Sequence, residues 1–279
     1  MLAIRTTNVV QGAHYVPVSR LLIAAATALA TALSIPASLL AQEVSVRSEV
    51  RSYNITALQE LPPAPATAHH NCTSPAPISP AARTVTALGW QVVHESDLAP
   101  FHAVTFVGQS NSGSAGMCAY GESNVAIYRG DKLEALIWAA FEEEIPIIMA
   151  VPIEDRLLRL YAADYVNYPV ADLVFAENDT LVLRELPQTD RYCSGKVPLP
   201  VGWGKSLKAE LSALNAAGWS ARSAEKGKLA PVECSGSGAG YCVYMFDHEG
   251  AELKLTTYGG EAQANGPAIA DYEVTCSPL

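Results

Sequence analysis

The sequence predicts an α+β protein of two tandem duplicated domains, each a helix packed on a small antiparallel sheet and clamped by disulfides. Three observations carry this expectation: an order of landmarks that occurs twice, an amphipathic helix period in the second copy, and six cysteines that all follow residue 41. Of the 279 residues, 49% are hydrophobic and 16% charged, an ordinary globular composition that argues against low-complexity disorder and a multi-span membrane protein.

Residues 1–41 contain no Asp or Glu, carry Arg5 and Arg20, and run from Leu21-Leu22-Ile23 through an Ala/Leu/Thr stretch to Ala41. This pattern predicts a signal peptide over 1–41, with Ala41-Gln42 as the junction. An uncleaved anchor is the competing reading, and Thr27, Thr31, Ser34 and Pro36 make the run weakly apolar for one. The expected organisation is then an N-terminal arm at 42–53, a first repeat at 54–170 and a second at 171–279. The 238 residues after the junction hold 16 basic and 28 acidic side chains, a formal charge of −12. Such a chain lacks the Lys/Arg stripe that phosphate backbones need, so nucleic acid is not expected as a partner. A periplasmic or secreted protein with no stable membrane span after cleavage is the expected outcome.

The repeated landmarks run in one order. Asn54-Ile55-Thr56 and Glu60-Leu61-Pro62 correspond to Asn178-Asp179-Thr180 and Glu185-Leu186-Pro187, and Cys72 to Cys193. Leu88-Gly89-Trp90 corresponds to Ala217-Gly218-Trp219, and Leu98-Ala99-Pro100 to Leu229-Ala230-Pro231. A Ser/Gly stretch at 112–116 corresponds to one at 235–240, leading to Cys118-Ala119-Tyr120 and Cys242-Val243-Tyr244. Offsets that drift between 121 and 131 residues are those of loop insertions between persistent elements.

Within the second copy, Leu207, Leu211 and Leu214 share one helical face, and Gly218 stands where a left-handed cap ends the helix. In the first copy, Pro80 and the β-branched Thr84, Val85 and Thr86 leave a short helix over Ala81–Leu88. Strands are expected at Trp90–His94, Ala103–Gly108, Met117–Tyr120 and Ala126–Arg129, then at Trp219–Ser223, Tyr241–Phe246 and Glu252–Thr257. After Asp131, helical spacing of Leu133, Leu136, Ile137, Ala140 and Phe141 competes with strand, and strand to about Trp138 is preferred because Glu252–Thr257 alternates. Residues 142–177 are expected to link the copies, with closing strands near Ala163–Val166 and Ala270–Val274. The prolines between Leu61 and Pro80 predict an extended surface connector.

Six cysteines in an exported chain predict disulfides, and the absence of any Cys-x-x-Cys pair argues against zinc. Equivalent bridges in equivalent copies give Cys72–Cys118 and Cys193–Cys242, with Cys234–Cys276 as an additional staple. A Cys234–Cys242 bridge is incompatible with that scheme.

Chemistry is thinly marked. A nucleophilic site needs a Ser with a His and an acid, and His94 or His102 with Ser112 or Ser114 is the combination available, without a Gly-x-Ser-x-Gly elbow. The Ser/Gly stretches lack the Gly-Lys-Ser/Thr ending of a phosphate loop, so Ser112, Ser114, Ser235, Ser237 and Tyr241 are assigned to exposed binding loops. His69-His70-Asn71-Cys72 has no histidine counterpart before Cys193, Glu142-Glu143-Glu144 diverge on any regular backbone, and Arg129-Gly130-Asp131 occupies a turn. No metal and no cofactor are expected. Asn54, Asn71 and Asn178 each begin a glycosylation tripeptide, relevant in a host that modifies exported asparagines.

Ser237-Gly238-Ala239-Gly240-Tyr241 resembles the Ser-Gly-x-x-Tyr loop of periplasmic lysozyme inhibitors. The likeness covers five residues, departs at Met117 in the first copy, and implies only a binding loop at this place. Duplication without matching catalytic side chains favours a non-enzymatic binding protein of the envelope or exterior with a protein partner, an inhibitor-type module being one form of it. The alternatives are an envelope hydrolase with a site between the copies and a structural assembly subunit.

Overall fold

The computed structural model describes residues 44–113, 118–141, 145–163, 167–222, 224–225, 228–235, 240–259 and 266–277. The expected signal peptide at 1–41, Ser114, Met117, Ser237 and the Glu142-Glu143-Glu144 run lie outside them. In chain order the first elements are β1 (Ser45–Ser48), β2 (Tyr53–Ala57), β3 (His69–His70), α1 (Pro80–Ala87), β4 (Gln91–Leu98), β5 (Phe101–Ser112), β6 (Cys118–Arg129) and β7 (Lys132–Ala139). Then come β8 (Ile147–Glu154), β9 (Leu157–Ala163), β10 (Asn167–Ala176), β11 (Thr180–Arg184), β12 (Thr189–Tyr192) and β13 (Val197–Pro200). The remainder is α2 (Leu207–Ala216), β14 (Ser220–Ala221), β15 (Ala224–Glu225), β16 (Lys228–Leu229), β17 (Glu233–Cys234), β18 (Cys242–His248), β19 (Ala251–Tyr258) and β20 (Ala268–Cys276).

Strands in the order β2-β7-β6-β5 form one sheet, with β4 antiparallel and β3 parallel to β5 along its free edge. A second sheet runs β1-β11-β10-β9-β8, and β1 joins it parallel to β11. These two sheets face each other as a sandwich. Leu98, Phe101, Ala103, Val125, Ile127 and Ile137 from the first meet Ile147, Leu158, Leu160, Leu173, Phe175 and Leu183 from the second in one buried core. Alternation decides the facing: Leu158 and Leu160 enter this core while Arg159 points away from it. The rings of Phe101 and Phe175 touch across the sheets, with centroids 4.5 Å apart.

The other face of the first sheet carries α1. Ala81, Ala82 and Val85 pack there with Trp90, Val104, Phe106 and Tyr128. Ser79 caps the helix by accepting the Ala82 N–H at 3.0 Å, and Pro80 starts it where a missing N–H costs nothing. A third core gathers β12, β13 and α2 against β18, β19 and β20 through Val197, Leu199, Leu214, Trp219, Phe246 and Leu255. Its sheet has the order β14-β18-β19-β20, with β17 also on β18. A buried ionic junction joins it to the sandwich: Arg159 of β9 donates to Asp172 of β10 at 2.8 Å and to Asp190 of β12.

These observations correct the expected fold class. The chain is mostly β, not α+β, and its two helices among the described residues have eight and ten residues. The halves are not tandem duplicated domains either. Glu43–Leu279 forms one compact unit, and the 170/171 position falls inside β10, an interior strand of the second sheet. The stretch expected to link two copies, 142–177, supplies β8, β9 and β10 instead.

What the halves share is local. Gly89 and Gly218 take φ values of +89° and +90°, ending α1 and α2 in a conformation that side chains resist. The following Trp90 and Trp219 are both buried, and their indole N–H groups donate to Pro62 O at 2.9 Å and Pro198 O at 2.8 Å. Beyond that point the connections differ. The strand after Trp90, β4, ladders with β5, whereas the one after Trp219, β14, pairs directly with β18, although each Ser/Gly stretch joins two antiparallel partners, β5 to β6 and β17 to β18.

Cys72–Cys118 forms as expected, but the other two expected bridges do not: Cys193 pairs with Cys276 and Cys234 with Cys242. The reason is register. Cys234 and Cys242 are direct cross-strand partners, with Cα atoms 4.0 Å apart. Three disulfides fit an oxidising, extracytoplasmic location. Among the described residues, no helix is long and apolar enough to cross a membrane.

Candidate binding cleft

A β-bulge sets the side-chain directions at this site. Val92 pairs with Phe106 but His94 with Thr105, so Val93 is an extra residue on β4. Before the bulge, Trp90 and Val92 face α1; after it, Glu95 and Asp97 do, while Leu98 joins the inter-sheet core. The bulge therefore transfers two carboxylates to the α1 face. The turn at Ala99-Pro100 then folds β5 back and sets His102 directly across from Asp97.

His102 Nδ1 lies 2.6 Å from Asp97 Oδ1, and Nε2 lies 3.3 Å from Glu95 Oε2. Both ring nitrogens thus face carboxylate oxygens. Glu95 also accepts the backbone N–H groups of Ile78 at 2.8 Å and Ser79 at 3.1 Å, fixing the entry to α1. Burial pushes the Glu95 carboxyl up, but these donors together with His102 outweigh it and hold it below its ordinary value.

In front of this arrangement lies a cleft of about 460 Å³, with Pro80, Ala99, Pro100 and Phe101 on its walls and Asp97 and Asp131 as its carboxylates. The Asp97 side chain is 90% exposed, so its negative charge is offered to solvent and ligand although one oxygen is engaged by His102. Ile78, which precedes the lining residue Ser79, is 80% exposed, while Glu95 and the Arg83 guanidinium hold its backbone from both sides. Exposed carboxylates beside fixed apolar surface suit a cation carried on an aliphatic stem.

The positions expected to act are dispersed. Ser112 lies at the opposite end of β5 from His102, ten residues away or about 33 Å of strand, and its hydroxyl donates to Asn71 O at 2.9 Å. Ser235 and Tyr241 close the base of the Cys234–Cys242 ring: Ser235 N–H donates to Tyr241 O at 2.7 Å, and Tyr241 N–H to Ser235 Oγ at 3.2 Å. The serine within the cleft is Ser79, whose oxygen caps α1. His69 bonds to Thr67 O and Asn111 Oδ1, and among the described residues no cluster of His, Cys, Asp and Glu could hold a metal ion.

Sequence reasoning flagged His102 but missed Glu95, Asp97 and Asp131. The usable signal was the tight turn at Ala99-Pro100, which makes residues 97 and 102 cross-strand neighbours. No protein-family model, curated protein or solved structure matches this chain.

Proposed function

We propose that the chain is an exported, non-enzymatic binding protein of the periplasm or cell exterior whose cleft between α1 and the β4–β5 turn receives a Lys or Arg side chain of a protein partner. The observation that carries this reading is the juxtaposition of the exposed Asp97 and Asp131 carboxylates with the apolar walls of the cleft. The acidic exported chain favours encounter with a basic partner, and the exposed Ile78, next in the chain to the lining residue Ser79, offers an apolar contact. The Ser235–Tyr241 base is a second, separate candidate contact.

The purified exported chain serves as bait against the exported fraction of its own host, in parallel with an Asp97→Asn/Asp131→Asn variant. The expected result is one stoichiometric partner whose retention weakens with salt and falls about tenfold or more in the variant. Equal retention by both proteins, or turnover of a substrate panel by the wild-type chain, refutes the reading.

A further inference from the structure

The bulge that sends Glu95 and Asp97 toward α1 sends His94 and Ser96 the other way, toward the second sheet. There β4 packs against β8, and the Ser96 hydroxyl donates to Ala150 O at 2.7 Å. Both are edge strands: β4 is laddered to β5 and β8 to β9. Their contact closes one side of the sandwich with side-chain packing and that hydroxyl bond, not with a backbone ladder.

His94 occupies this seam opposite Thr105, which is fully buried. The His94 Nδ1 and Thr105 Oγ1 atoms are sealed from solvent, and neither has a hydrogen-bond partner among the described residues. The half-buried ring therefore has no acceptor at Nδ1 for a second N–H. Glu95 is the charge that acts on it from β4. On β5 the nearest titratable group, His102, faces α1 with its two carboxylates. On β8 the titratable residue is Glu154, at the far end of the strand from Ile147. On the α1 side Arg83 is tied to Ile78 O.

We propose that His94 is an acid-sensitive latch: neutral, it lets β4 close against β8, and protonated, it opens that side of the sandwich. Two N–H groups on a charged ring need acceptors or water, and parting the strands supplies water. Burial holds the His94 pKa below its ordinary value, against the smaller upward pull of Glu95. The sign follows: the neutral ring's contribution to closure is complete above the ordinary imidazole value and is lost as the pH falls through and below it.

Amide exchange on the full exported chain, corrected for the intrinsic rate, tests the latch. Exchange at the β8 amides of Ile147–Val151 is expected to rise about tenfold between about pH 7.5 and about pH 5.5 in the wild type, and to stay within about twofold in His94→Gln. A Ser96→Ala variant is expected to exchange faster at both pH values with an unchanged ratio between them. Should His94→Gln fail to fold, the wild-type His94 ring proton, followed by NMR, must titrate together with β8 exchange. An equal pH response in His94→Gln, no effect of Ser96→Ala, or a ring that titrates while β8 exchange stays flat overturns the proposal.

Discussion

Removing each disulfide in turn separates the observed bridge pattern from the one that the landmark order suggests. Cys193–Cys276 spans 83 residues, Cys72–Cys118 spans 46 and Cys234–Cys242 spans 8. On the chain-entropy relation these closures stabilise by about 4.5, about 4 and about 2.5 kcal/mol. For a unit of this size each kcal/mol moves Tm by about 2 °C, so paired Cys→Ala variants should lose about 9, about 8 and about 5 °C. The alternative bridges Cys193–Cys242 and Cys234–Cys276 span 49 and 42 residues and would contribute about 4 kcal/mol each. The assay is thermal unfolding of the three paired variants without reductant, with free thiols counted after denaturation. Cys234→Ala/Cys242→Ala should expose no thiol and show the smallest loss. Two thiols in that variant, or a loss matching that of Cys193→Ala/Cys276→Ala, would refute the reasoning.

Other perturbations test the junctions between layers. Arg159→Met leaves the partly buried Asp190 without its cation and the fully buried Asp172 with only the half-exposed Arg184 at 3.8 Å, and should cost about 3 kcal/mol by urea denaturation. Combining it with Asp172→Asn and Asp190→Asn should recover much of that loss. Glu95→Gln should flatten the acid limb of stability. Because the folded carboxyl lies below its ordinary value, its contribution is present above that value and lost as the pH falls through the folded one, which a pH series of Tm reads directly. Trp90→Phe and Trp219→Phe each remove an indole N–H bond to a proline carbonyl and leave a small cavity, and each should cost about 2–3 kcal/mol in chemical denaturation.

The legible parts of this chain are those in which one residue type satisfies a backbone constraint. Gly89 and Gly218 end helices at positive φ, Leu207 and Leu214 bury one face of α2, and Leu253 and Leu255 alternate along β19, all as sequence periodicity foretold. The segment after Asp131 is a strand to Ala139, as the preference for alternation over helical spacing implied. Illegible were the partners of these pieces. Cys118 and Cys242 stand in similar sequence and each opens the second strand of an antiparallel pair, yet Cys118 lies across from Ser112 and bridges to Cys72, while Cys242 lies directly across from Cys234 and bridges to it. A disulfide answers to Cα proximity, and proximity comes from strand register. The same limit explains the mistaken linker: Ile147–Val151 is an apolar run, and only its ladder with β9 shows that it belongs inside a sheet.

Register governs the cleft and the seam alike, through a single extra residue. Val93 looks no different from Val92, and both suit a strand, so no local signal announces the bulge between Val92 and His94. Were Val93 held in the ladder instead of bulged out of it, period-two alternation would continue from Trp90 and Val92, directing His94 and Ser96 to α1 and Glu95 and Asp97 into the inter-sheet core. Carboxylates there would face Ile147, Leu158 and Leu160, an environment in which an unpaired charge is not tolerated. With the insertion, the acids reach the N–H groups of Ile78 and Ser79 and the ring of His102, and His94 is left between the sheets. The acidic cleft and the half-buried imidazole of the seam are therefore two consequences of one backbone irregularity, and neither can be moved without disturbing the other.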